Sequence, residues 1–344
     1  MHCCRFSAVL IIMKAKISII SGFIIGGILL YFALRNIEFA KLAAIYSKVN
    51  PAFIIPFILI VVLELFFRGA RWRLLLNPSN PGVRVMDAFK LEAAGLALNN
   101  VLPLRMGELA RATFAAKLFK IPLITVLATI LVERLLDVIV LFLMFVAAAH
   151  YGGITGGLMN YNGLLWALIA GLVAGIAALI FADELVAHAW FSGFFARFPK
   201  VRLLFERVAM GVKGFHSFKN GALIFLFAGL QWSMDVLNFY VLGLAFGLGD
   251  IVDIFKSVAL VFTGAAAASV PGMPGYFGNY ELVLMKVLAT WGVPESTGFA
   301  YVSYMHVLGY IVMTLIGVFF IYQMGQSLGR VWGEFSSGVG GDKK

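Results

Sequence analysis

Long apolar stretches, cut at intervals by short polar breaks, dominate this chain. A helix crossing the hydrocarbon core of a bilayer needs about 20 mostly apolar residues. Six stretches predict full spans: about Ile17–Leu34, Ala52–Phe67, Pro122–Ala149, Tyr161–Ala182, Gly221–Phe246 and Phe299–Gln323. Two further apolar stretches are interrupted. The one from about Ala88 to Leu118 is broken by Asn99, Asn100, Val101, Leu102, Pro103, Leu104, Arg105, Met106, Gly107 and Glu108. The one from about Ser257 to Trp291 is broken by Pro271, Gly272, Met273, Pro274, Gly275, Tyr276, Phe277 and Gly278. Proline removes a backbone donor and glycine loosens the chain, so each segment should split into two half-helices. Irregular backbone at membrane depth survives only inside protein or beside water. Both segments therefore read as re-entrant hairpins.

The chain resembles itself at an offset of 172. Pro122, Thr125 and Ala128 match Pro294, Thr297 and Ala300. Leu136, Ile139, Val140, Leu143 and Val146 match Leu308, Ile311, Val312, Leu315 and Val318. That makes 8 identities in the 26 positions from Pro122 to Ala147. Apolar composition alone would give roughly one in ten. A broken segment precedes the matching span in each half, with Glu108 ahead of Pro122 and Glu281 ahead of Pro294. The expected fold is an all-α polytopic membrane protein. It has about six full spans plus two re-entrant broken hairpins in an inverted repeat, a pattern of transporters. Residues 1–335 form a single integral membrane domain. The first repeat covers about 52–149 and the second about 221–323. Residues 183–219 mix Arg197, Lys200, Arg202, Arg207, Lys213 and Lys219 with Phe191, Phe194, Phe195, Phe198 and Phe205. They read as an interfacial amphipathic segment. Residues 336–344 read as a disordered tail.

Composition agrees with this class: 62% of residues are hydrophobic and 13% charged, about half the charge of a soluble domain. The net charge of +10 needs an explanation, and nucleic acid is the rival reading. Lysines and arginines flank the spans instead of forming one patch. With the N-terminus inside, 21 of the 27 lie in inside segments and 5 outside, with Arg134 in a span. The positive-inside rule then places both termini in the cytoplasm and the chain in the cell inner membrane. Cys3 and Cys4 are adjacent and cannot staple a fold. The opening residues lack a secretory cleavage site, and Met1 and Met13 are both candidate starts. No metal-ligand spacing, nucleophile elbow or Walker-type phosphate loop occurs, so no cofactor, metal or ATPase is expected.

Ionisable groups inside spans are costly and mark function by default. Glu133 and Asp137 share one helix face, with Arg134 adjacent. The offset places His306 opposite Arg134. Arg105, Glu108 and Arg111 are spaced three apart at a helix start in the first break. Asn279, Tyr280 and Glu281 follow the second. Gln231, Asp235 and Asn238 form a polar stripe, and Glu64 lies one turn before Arg68. Arg68, Arg71 and Arg73 are expected to snorkel to the cytoplasmic interface. Each intramembrane charge can equally be one half of a structural ion pair.

These residues also carry a family resemblance over nearly the whole chain. The marks are Phe67-Arg68-Gly69-x-Arg71-Trp72 and Asn99-Asn100-x-Leu102-Pro103-x-Arg105-x-Gly107-Glu108-x-x-Arg111. Glu133-Arg134-x-x-Asp137 and Pro271-x-x-Pro274-Gly275-x-x-Gly278-x-x-Glu281 complete them. The chain resembles the membrane domain of lysylphosphatidylglycerol synthases and the stand-alone flippase-like membrane proteins. The resemblance implies movement of a phospholipid or a polyprenyl lipid between leaflets. It does not imply lysine transfer, since the soluble aminoacyl-transferase domain of the bifunctional relatives is not expected here.

The expected partner is a membrane lipid with an anionic or zwitterionic headgroup. Its site would be built from Asn99, Asn100, Arg105, Glu108, Arg111, Glu133, Arg134, Asp137, Pro274, Gly275, Gly278, Glu281 and His306. Arg105, Arg111 and Arg134 would contact phosphate. Glu108, Asp137 and Glu281 would offset charge or receive an amine. The chain is expected not to be an enzyme and to have no catalytic residue. Two alternatives stay open. One is a membrane-embedded enzyme or enzyme subunit using Glu108, Glu133 or His306 as acid and base. The other is a scaffold that docks a lipid-modifying enzyme on residues 183–219.

Overall fold

The computed structural model describes residues 24–35, 37–102, 106–153, 170–171, 197, 217–270 and 274–325. No strand occurs among them. The first described helices are α1 (Ile24–Leu34) and α2 (Phe39–Tyr46). The first copy of the repeat follows as α3 (Ile54–Leu76), α4 (Val85–Val101), α5 (Met106–Phe119) and α6 (Leu123–Gly152). The second copy is α7 (Phe218–Ala245), α8 (Ile254–Ser269), α9 (Asn279–Thr290) and α10 (Glu295–Gln323). Most of the expected fourth span, most of the 183–219 segment and the 336–344 tail lie outside the described residues.

Local chemistry sets the helix ends. Asn50 caps the entry to α3 by accepting from the Ala52 amide at 3.0 Å, with Pro51 at the first turn. Asp253 caps α8 through the Lys256 amide at 2.8 Å. Pro122 and Pro294 start α6 and α10 with nearly the same backbone, φ/ψ −55/132 and −57/142. Both apolar stretches with predicted breaks are split, into α4/α5 and α8/α9. A short 3-10 turn, Pro274–Tyr276, sits in the second break.

Helices α3, α7 and α10 are long and apolar enough to cross a membrane. Helix α6 is 30 residues long and carries Glu133, Arg134 and Asp137 in its middle third. Its outer face shows Leu131, Leu135, Val138 and Leu143, while Glu133 and Asp137 point inward and are buried. That is the amphipathy of a helix whose exterior solvent is lipid. The chain is an all-α membrane protein.

The packing has two-fold character. Helix α3 packs on α7, its counterpart. Helix α4 packs on α10, and α8 on α6, so each copy lends its first half-helix to the other copy's long helix. The contacts α3–α6 and α7–α10 correspond, as do α3–α10 and α7–α6. Directions show the sense of the symmetry. Along α3 and α7, the Asn50 amide meets the Ala245 carbonyl and Phe67 stacks on Phe227, so the two run antiparallel. Equivalent helices that run antiparallel are what an inverted repeat produces. Helix α4 likewise runs against α10, from Phe89 beside Phe320 to Asn100 beside Thr314. The approach is close: a Cβ at Gly317 would overlap the Ala93 carbonyl, so only glycine fits there.

One expectation is overturned. The second span was expected to end at Phe67, with Arg68, Arg71 and Arg73 snorkelling to the surface. Instead α3 continues to Leu76, and Arg68 and Arg71 are buried, Arg71 completely. Carboxylates on α3 itself and on neighbouring helices neutralise them, which removes the reason to snorkel.

Candidate functional site

Helix α6 brings Glu133 and Asp137 to one face, four residues apart. The Arg71 guanidinium from α3 bridges them, with Nη1 2.6 Å from Asp137 Oδ1 and Nη2 3.1 Å from Glu133 Oε1. Arg111 from α5 takes the other Glu133 oxygen at 2.7 Å and also pairs with Glu92 of α4. Its guanidinium lies 4.3 Å over the Trp72 ring, and the Trp72 indole donates to Thr129 Oγ1 at 3.0 Å. Arg134 closes the outer side, 3.3 Å from Glu108 and 3.2 Å from Asp137. Side chains of α3, α4, α5 and α6 thus form one ion-pair network. Buried charges persist when paired and hydrogen-bonded in this way. Arg111 and Glu133 pair with each other, and Asp137 is held by Arg71 and Arg134.

Beside the network lies a cavity of about 300 Å³. Its polar lining is Glu64 and Arg68 of α3, Asn100 of α4, Asp235 and Asn238 of α7, and His306 of α10. Trp232, Tyr276, Tyr280 and Tyr310 supply aromatic walls. Arg68 sits between two acids, 2.7 Å from Glu64 and 4.0 Å from Asp235. Asn238 is buried, and its side-chain oxygen has no partner among the described residues. His306 is paired with Glu281 and packed between Phe277 and Tyr280, ring centroids 4.5 and 4.7 Å away. Glu64 and Arg68, Asp235, and His306 fall in the middle thirds of α3, α7 and α10, whereas Asn238 lies nearer the end of α7 and Asn100 at the end of α4.

The cavity and the network occupy related places in the two copies. At the offset of 172, Glu92, Glu133 and Asp137 correspond to Gly264, Met305 and Gly309. All three of the latter line the cavity. Charged side chains stand in the first copy, and in the second Gly264 and Gly309 leave open the positions of Glu92 and Asp137, with Met305 at that of Glu133.

The expected site residues therefore divide. Asn100, Gly275 and His306 line the cavity, and Glu281 supports it through His306. Gly278 stands at φ 93, its amide donating to Glu281 Oε2 at 2.7 Å. Glu108, Arg111, Glu133, Arg134 and Asp137 belong to the network. The Asn99 side chain packs at Gly107, between the half-helices of the first break. Pro274 opens the 3-10 turn. Arg105 lies outside the described residues. Both breaks reach one cavity, through Asn100 and Gly275. Arg68, Arg71, Glu92, Trp232 and Tyr310 were missed as site residues. Glu92 was detectable as a lone acid inside the apolar run from Ala88 to Leu98. Arg71 was detectable as the base that two acids on one face of α6 require. Among the described residues no cluster of histidine, cysteine or carboxylate could hold a metal.

Residues 19–317 match the lysylphosphatidylglycerol synthase TM region. The chain belongs to this family. It is 24% identical over 326 residues to the UPF0104 membrane protein MJ1595 of Methanocaldococcus jannaschii, covering 89% of this chain and 95% of that one. A UPF0104 membrane protein of Methanothermobacter thermautotrophicus is 24% identical over 279 residues, 74% of this chain and 78% of that one. Glycosyltransferase AglD of Haloferax volcanii is 25% identical over 308 residues, 80% of this chain. The match spans 49% of AglD, so this chain corresponds to about half of that protein. No solved structure matches the chain.

Proposed function

We propose that this protein moves a lipid headgroup between the leaflets of the membrane, passing it through the cavity while the acyl or polyprenyl tails stay in lipid. The observation that carries the reading is a polar cavity at the joint of two antiparallel copies, with Glu64, Arg68, Asp235 and His306 near the middles of the long helices α3, α7 and α10. Transporters that work by alternating access bind substrate at such a joint. The charges suit a zwitterion: Arg68 faces phosphate, while Glu64 and Asp235 exceed it by one charge and receive an amine. Family membership supports a role on lipids, as does the relative named as a glycosyltransferase. The driving force comes from outside the chain, because the sequence has no nucleotide-binding loop.

A second reading has its own observation. Glu281 and His306 are an acid and base beside a cavity, the equipment of proton-transfer catalysis on a headgroup. Mass separates the two, since an enzyme changes the lipid's composition and a translocase changes only its leaflet.

The test is reconstitution into vesicles with a labelled phosphatidylethanolamine confined to one leaflet. The expected result is exchange faster than in protein-free vesicles, slowed in Arg68→Lys and Asp235→Asn variants that melt near the wild-type temperature. An arginine fork is not replaced by a lysine point charge. Exchange at the protein-free rate overturns translocation, and a changed lipid mass favours the enzyme.

A further inference from the structure

We propose that the Glu281–His306 pair is a proton-binding site that makes the second copy's clamp switchable, where the first copy's is permanent. Glu108 is the third residue of α5 and Glu281 the third of α9. Arg134 and His306 are each the twelfth residue of their long helices, α6 and α10. In each copy the acid of the short helix pairs with the base of the long one. The base differs, and the second pair is the more buried, Glu281 being 2% exposed against 26% for Glu108. Arginine stays charged at every pH a protein meets. Histidine is the side chain that changes charge between about pH 5 and pH 8. A purely structural clamp is already built in the first copy with arginine. The substitution at the equivalent position of the other copy adds titration and keeps the contact.

Protonation has a mechanical outlet. One oxygen of the buried Glu281 carboxylate holds His306, and the other accepts from the Gly278 amide. At Gly278 a Cβ would meet the Gly26 carbonyl and Leu30 amide of α1, so the end of the break is pinned there. A single carboxylate therefore ties the break to the long helix. With an imidazolium the pair is a neutral ion pair. Release of the Nε2 proton to the cavity leaves an imidazole that still donates through Nδ1, but charge attraction is lost. Only an N–H bond breaks and re-forms, and the proton passes to and from cavity water. The ionisable groups facing the pair are Glu64 and Arg68 from α3, Asp235 from α7, Tyr280 from α9, Tyr276 from the 3-10 turn and Tyr310 from α10. Helix α4 contributes Asn100, which does not titrate. Arg68 is engaged by Glu64 and Asp235, which together exceed it by one negative charge, and the carboxylate in direct contact with His306 is Glu281. On the translocation reading above, this switch couples headgroup passage to proton uptake and release.

Two measurements on the full chain test the proposal. The first is hydrogen–deuterium exchange over residues 274–281, corrected for intrinsic rate, from about pH 5 to pH 8. Protection should fall as pH rises in the wild type. It should stay high and flat in His306→Arg, which installs the first copy's base, and stay low and flat in Glu281→Gln. Wild-type protection that ignores pH, or a His306→Arg variant that keeps the wild-type profile, overturns the proton site. The second is leaflet exchange of labelled phosphatidylethanolamine across the same pH values. The wild type should change several-fold and His306→Arg should not. A wild-type exchange rate that is flat while protection titrates overturns the coupling. Exchange absent at every pH, with protection still titrating and flattened by His306→Arg, leaves the proton site standing and removes the translocation reading instead.

Discussion

The Trp232 indole donates to Asp137 Oδ1 across 3.3 Å, and the same oxygen receives Arg71 Nη1 at 2.6 Å. Trp232 is a wall of the cavity, and Asp137 is a member of the ion-pair network. One carboxylate oxygen thus links the ion-pair network to the wall of the cavity. Trp232→Phe keeps the ring and removes the donor. A single hydrogen bond to a charged acceptor contributes about 1.5–3 kcal/mol. The melting temperature should fall modestly and leaflet exchange should change more than stability does. An unaltered exchange rate in a destabilised Trp232→Phe variant would show that the network and the cavity work independently.

Arg71 neutralises two buried acids on α6. Removing one partner of a buried ion pair typically costs about 3–5 kcal/mol, because the other charge is left uncompensated. Arg71→Ala should therefore be among the most destabilising substitutions in the chain, read as thermal unfolding in detergent. Glu133→Gln should be milder, since the amide still accepts hydrogen bonds from Arg71 and Arg111. Wild-type melting of Arg71→Ala would mean that the network does not hold the helices together.

Gly317 and Ala93 bring α10 and α4 from different copies into backbone contact. A Gly317→Leu side chain has to displace α4, and overpacking of this kind costs typically 1–3 kcal/mol or more, about that much at a backbone contact. Melting should fall and leaflet exchange should fall with it. Gly309→Ala is the control, because a Cβ there meets only Phe57 Cζ at 3.7 Å. Equal melting of Gly317→Leu and the wild type would contradict the close approach of the two copies.

Much of the fold was legible before any coordinates, and for a physical reason. A bilayer imposes a minimum length on apolar helices, and irregular backbone stands out against them. The breaks, the two proline starts and the offset of 172 followed from that. Pairing across the repeat was less legible. Nothing local in Arg71 tells a snorkelling arginine from a buried one. The distinction rests on Glu133 and Asp137, more than sixty positions away in sequence. Glu108 and Glu281 were recognised as equivalents, and so were Arg134 and His306, but only the packing shows that each acid meets its own copy's base. The cavity was hardest to foresee, because glycines at 264 and 309 mark it by what they lack.

That last feature yields the sharpest test of how the two copies divide their work. Gly309 corresponds to Asp137 and faces the cavity from the middle of α10. Its nearest neighbour to an added Cβ is at ordinary contact distance, and the backbone is helical, so a Cβ fits without strain and a longer side chain extends toward the cavity that Gly309 lines. Replacing a helical glycine with a better helix former gains about 0.5–1 kcal/mol locally. Gly309→Leu should therefore melt at or above the wild-type temperature while its side chain fills the cavity. Exchange of labelled phosphatidylethanolamine should drop towards the protein-free rate. Gly309→Ala, which fills little, should keep most of it. If Gly309→Leu is as stable as the wild type and moves lipid at the wild-type rate, the headgroup does not pass through this cavity.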